Sequence, residues 1–210
     1  MDPAVALDGR ALGRRGAQTR RRLLDATAEM LETHGIRDLR VVDIARSVGS
    51  SPATFYQYFR DVEEAVLALA EEVGGEIAPL AARLETDWAG EQGLADARAL
   101  VDGFLDYWDR HRAVLRTRNL AAQEGDERFR EVRNRTLTPF MRALTAKIET
   151  ARREGRVVGE LSPLAASAAL VALIERMAAF QHELEPIGIP RAELVETTAR
   201  IIHQTVVGIA

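Results

Sequence analysis

The chain has 210 residues, 47% of them hydrophobic and 29% charged, enough to bury one sizeable core or two small ones and ordinary for a water-soluble globular protein. It contains no cysteine, which excludes disulfides, a thiolate nucleophile and cysteine-type zinc sites. The net charge of −4 is unevenly spread: residues 1–60 carry ten arginines against seven acids, and the remainder carries the acidic excess.

The N-terminal stretch shows no apolar segment ahead of a small-residue cleavage site, and no window nears about eighteen uninterrupted apolar residues. A cytoplasmic protein with no membrane partner is expected. Between Arg10 and Arg22 stand six arginines and no acid. Arms that neutralise phosphates and merely solubilising tails share that composition.

Helical spacing then takes over. From Arg20, the positions Leu23, Leu24, Thr27, Met30, Leu31 and His34 predict a first helix, with Gly35 as its stop. "VVDIARSVG" predicts a short second helix ended by Gly49, and Ser51-Pro52 opens a third that runs to about Phe59. Val62, Val66, Leu69, Val73, Ile77, Leu80, Leu84 and Trp88 trace one long amphipathic path, and Gly74-Gly75 and Pro79 predict a break in it near residues 74–79. Further apolar stripes predict helices over Leu94–Trp108, Val114–Ala122 and Phe129–Ala151, the last with an internal Pro139 and an end at Gly155. Residues 162–183 and 190–208 complete the set. Nine helices and no strand make the fold class all-α.

The second and third helices, joined by "VGSSP", form a helix-turn-helix arrangement whose second member enters the major groove of DNA. Gly49 supplies the positive φ of the turn, and Ile44, Ala45 and Val48 pack the pair on the first helix. The third helix also gathers four of the eleven aromatics. Phe55 and Phe59, at i and i+4, suit the core, whereas Tyr56 and Tyr58 can donate hydroxyls to phosphates. Ala53 and Thr54 in the first turn suit base edges, with Val41, Ser50, Ser51 and Pro52 around them, and Arg20, Arg21, Arg22 and Arg60 are candidate phosphate contacts.

"LRVVDIARSVGSSPATFYQYFRDVEEAVLAL" resembles the DNA-binding signature of the TetR family of bacterial transcriptional regulators, over roughly residues 19–70. The resemblance implies an N-terminal helix-turn-helix domain, expected over residues 1–60, and a helical effector-binding and dimerisation domain over 61–210. It also implies a homodimer on double-stranded operator DNA, released by a small effector. Two positions depart from the pattern: Tyr58 stands where the family often has histidine, and Val62 where it has a phosphate-contacting lysine, for which Arg60 is the substitute. "RHRAVLRTRNLAAQ" and "LIERMAAF" are similar to the subgroup typified by the ethionamide-resistance repressor, which implies a narrow apolar tunnel.

Phe104, Trp108, Phe140, Met141, Met177 and Phe180 lie on stripes that suit either plain core or, with Asn119, Gln123, Glu175 and Gln181 on neighbouring faces, a pocket for a lipophilic effector. Ala165, Ala168, Ala169 and Ala172, with Leu194, Ile201 and Ile202, are expected at the dimer interface. The four histidines form no i, i+4 pair, so no metal and no cofactor are expected. No G-x-S-x-G, phosphate loop or H-E-x-x-H motif recommends an enzyme. A constitutive or architectural DNA-binding protein without a switch is the alternative.

Overall fold

The computed structural model describes residue 7 and residues 10–88, 90–156 and 161–208. In chain order the helices are α1 (Arg14–Leu31), α2 (Val41–Ser47), α3 (Pro52–Tyr56), α4 (Val62–Glu76), α5 (Ala78–Ala82), α6 (Gly90–Arg110), α7 (Arg112–Gln123), α8 (Glu127–Arg153), α9 (Pro163–Leu184) and α10 (Arg191–Val207). No strand occurs among the described residues. The expected break is present: α4 stops at Glu76, and the five-residue α5, with Pro79 at its second position, restarts beyond it. The chain forms two compact units, one comprising residues up to Val73 with Arg112–Arg133, the other Gly74–His111 with the residues from Asn134 onward.

In the first unit, α1 packs against α2 and α7, and α2 against α3. Leu23, Leu24, Leu31, Ile44 and Phe55 are wholly buried. Each such side chain contributes about 1.5–3 kcal/mol by leaving water. The buried Thr27 hydroxyl donates to the Leu23 carbonyl at 2.7 Å, so it enters the core already satisfied. Gly35 is not the stop of α1. The helix ends at Leu31, the amides of Thr33 and His34 turn back onto the Met30 carbonyl, and Gly35 has an extended φ of −72°. A turn made from the helix's own carbonyl leaves no left-handed position for a glycine to fill. Gly49, with φ +66°, does occupy the left-handed region expected of it.

In the second unit, α6 is the central element, with α9 and α10 packed on it. Ala97, Leu100, Val101, Phe104, Leu105 and Trp108 are its buried face. On α10 the buried set is Leu194, Thr198, Ala199, Ile202 and Val206. Around this contact, Arg98 bonds both carboxylate oxygens of Glu196 at 2.5 and 2.9 Å, and Arg191 bonds Asp102 at 2.7 Å and Asp106 at 2.5 Å. These pairs are partly exposed, so they fix register more than they add stability. Ser162 and Pro163 start α9 with the same capped serine and first-position proline as the pair that starts α3.

Candidate nucleic-acid interface

The third helix is positioned from both ends. Its N-cap Ser51 accepts the Thr54 amide at 3.2 Å, and the two hydroxyls lie 3.1 Å apart. The Ser50 hydroxyl donates to the Ala45 carbonyl at 3.3 Å and ties the turn back to α2. From below, Phe55 and Phe59 are buried with ring centroids 5.4 Å apart, and Tyr56 is turned outward, 52% exposed. The helix proper ends at Tyr56, three residues before the expected limit, although the Phe59 amide still bonds the Phe55 carbonyl at 3.0 Å. Pro52 and Ala53 are exposed, Thr54, Tyr58 and Ser50 half-buried, and Val41 half-buried at the start of α2. Such a surface offers small side chains at its leading edge and a hydroxyl farther along, on a rigid apolar base.

The arginines have intramolecular partners. Arg20 pairs with Glu72 at 3.2 Å and lies over the Phe59 ring, 5.2 Å from its centroid. Arg21 bonds Asp25 at 2.7 Å and Glu72 at 2.6 Å, and the Asp25 hydrogen bond in particular holds its pKa above the ordinary value. Arg22 donates to the Val48 carbonyl at 2.6 Å, bracing α1 against the turn that follows α2. Arg60 serves the start of α4: its backbone amide donates to Glu64 at 2.5 Å, its guanidinium lies 3.3 Å from the same carboxylate, and Asp61 accepts the Glu64 amide at 2.8 Å.

The expected effector residues divide between the two units. Asn119 and Gln123 are in the first, with Asn119 half-buried and accepting from Arg118 at 3.0 Å, and Gln123 exposed at the end of α7. The other residues are in the second. Phe104 and Phe140 are buried edge to face, with centroids 5.8 Å apart, and Trp108 and Glu175 are buried. Met141 and Met177 are half-buried, as is Phe180, whose ring carries the Arg176 guanidinium 3.5 Å from its centroid. Gln181 is committed to α6, donating to the Leu105 carbonyl at 3.2 Å and to Asp109 at 3.1 Å. Sequence reasoning missed Arg118, which is only 1% exposed. Its place three residues after Leu115 and four after Val114, on the apolar stripe of α7, was the available signal.

Ala165, Ala168, Ala169 and Ala172 form an exposed face of α9, with Leu164 beside them. Of the three α10 residues expected with them, only Ile201 is exposed. Leu194 and Ile202 lie inside the protomer, because the line Leu194, Thr198, Ile202, Val206 is the one that α10 turns inward.

Comparison with known proteins bears on both units. A family model described as "Bacterial regulatory proteins, tetR family" matches residues 23–69, and one described as "Tetracyclin repressor-like, C-terminal domain" matches residues 80–209. The chain is 30% identical over 209 residues to the HTH-type transcriptional regulator EthR of Mycolicibacterium smegmatis, covering 95% of this chain and 92% of that one. It is 25% identical over 201 residues to EthR of Mycobacterium tuberculosis, covering 95% and 93%. Among solved structures, the transcriptional regulator FadR from Bacillus subtilis in complex with stearoyl-CoA superposes with a TM-score of 0.63 at 17% identity, covering 90% of this chain and 99% of that one. A TetR-family regulator from Rhodococcus sp. superposes equally well, at 0.63 and 20% identity, with the same coverages.

Proposed function

We propose, from the premise that this chain belongs to the TetR family of bacterial transcriptional regulators, that it is a homodimeric repressor which a small lipophilic effector releases from a palindromic operator. Residues 1–60 bind the DNA, and residues 61–210 bind the effector and the partner subunit. The observation that carries the DNA-binding half is the Ser51-capped α3, held by buried Phe55 and Phe59 with Tyr56 turned outward. A short helix seated so firmly can enter a major groove as a rigid body.

The effector half is supported by the aromatic stripes of Phe104, Trp108, Phe140 and Phe180, and by a fold relative that binds stearoyl-CoA. The exposed alanine face of α9 supports the dimer. That helix, with the turn after it, has a mean hydropathy of 1.5 over its most apolar window but is only 39% buried there, and a second copy is the cover proposed for the remainder. Release requires the effector to favour a spacing of the two recognition helices that DNA does not, since a ligand with equal affinity for both states shifts nothing. The helix α4, which runs from Val62 in the first unit to Glu76 in the second, carries that change.

A lipophilic compound library tests the reading. Binding compounds should raise the melting temperature and release operator DNA, and operator DNA should weaken the compound by the same factor. Trp108→Ala should alter the compound preference and leave DNA binding intact. A library that yields neither thermal shift nor release overturns the switch and leaves a constitutive DNA-binding protein.

A further inference from the structure

We propose that Arg14 and Arg15, beside the exposed end of α3, make the salt-sensitive phosphate contacts of this chain, in place of Arg20 and Arg21. The assignment rests on the DNA-binding reading above. Arg20 and Arg21 share the Glu72 carboxylate, and Arg21 also holds Asp25. To reach a phosphate, each must exchange a carboxylate for it and leave that acid uncompensated beside the DNA, so the net electrostatic gain from the contact is small.

Arg14 and Arg15 sit in the first turn of α1. Both are exposed, and neither makes an ion pair or side-chain hydrogen bond among the described residues. No acid stands between Arg10 and Arg22 to neutralise them. Two contacts bring the N-terminal arm and the start of α1 up to the residues that follow α3. A Cβ on the next residue, Gly16, would lie 3.6 Å from the Tyr58 hydroxyl, and the Leu7 amide donates to the Gln57 carbonyl at 3.0 Å. The N-terminal arm and the end of α3 thus border one open cleft of about 620 Å³, walled by Leu7, Arg10, Leu12, Tyr56 and Tyr58.

A major groove is only about 12 Å wide, so phosphates line both sides of any helix seated in it. With α3 in the groove, the strand beside Tyr56 runs past the start of α1, where two arginines are ready to displace condensed counterions. Tyr56 adds a neutral hydroxyl to the same strand. The partner is therefore the sugar-phosphate backbone flanking each half-site, recognised by charge and not by sequence.

The test is the salt dependence of binding to a random-sequence duplex of about three helical turns, followed by fluorescence anisotropy between about 50 and 200 mM salt. Each lost phosphate contact lowers the slope by about 0.9, so removing two arginines from each of two protomers should lower it by between about three and four. Arg14→Ala with Arg15→Ala should show that loss and an unchanged melting temperature. Arg14→Lys with Arg15→Lys should restore the slope, because the charge is kept. Arg20→Ala with Arg21→Ala should lower the melting temperature and keep the parent slope. A parent slope in the Arg14/Arg15 alanine variant, or a lowered slope in the Arg20/Arg21 variant, overturns the assignment. A parent that binds no duplex at all overturns the DNA-binding reading, and the assignment falls with it.

Discussion

Phe55 and Phe59 bury their rings beneath α3, and Ser51 closes its first turn, so three side chains fix the orientation of Tyr56 before any ligand arrives. Ser51→Ala removes the acceptor of the Thr54 amide and should lower unfolding free energy by about 1 kcal/mol in urea titrations. Phe55→Ala, which empties a fully buried site, should cost about 3–5 kcal/mol in the same measurement. Thr54→Ala should leave stability near the parent value and change which duplexes are preferred. The cap and the two core rings were legible in the sequence, because serine before proline and an i, i+4 aromatic pair carry their meaning locally. The fate of Arg20 and Arg21 was not, since Glu72 lies about fifty residues along the chain and no local rule pairs it with them.

Helix against helix, the contact of α6 with α10 organises the second unit, and Arg98 with Glu196 stands at its edge. The Arg98 hydrogen bond, helped by Arg200, lowers the Glu196 carboxyl from 4.5 to about 2. A depressed carboxyl stabilises the fold fully above its unfolded value, and that contribution fades as pH falls through the folded one. The pair should therefore stabilise the α6–α10 contact above about pH 4.5 and be lost on the way down to about pH 2. Glu196→Gln should be less stable than the parent near neutrality and indistinguishable from it once the pH is below about 2, as read from unfolding curves across pH. At the start of α6 a Cβ on Gly93 would fall 1.7 Å from the Trp88 carbonyl oxygen, a backbone atom that no rotamer change can move. Gly93→Ala should thus cost about 3 kcal/mol or more, seen as a lowered melting temperature. Periodicity located α10 and its apolar line, but a period does not say what a line faces. Leu194 and Ile202 were expected at the interface for that reason, and both are buried within the protomer. The break after α4 was legible because Gly74-Gly75 and Pro79 fall together there, and the proline takes the first turn of the restarting α5, whereas the lone Pro139 is carried inside α8.

For the whole molecule, the exposed alanines of α9 are the feature that a lone protomer leaves without a purpose. Ala168→Glu with Ala172→Glu places four carboxylates in the proposed two-fold contact, and burying unpaired charge there is prohibitive. That variant should sediment as a folded monomer and bind DNA far more weakly than the parent. The most direct measurement of the central claim is selection of bound sequences from a pool of random duplexes by the unaltered protein. The expected result is a palindrome whose half-sites lie one helical turn apart, about 34 Å, bound by two protomers. Enrichment of no sequence, or of a single asymmetric site occupied by one protomer, would contradict it.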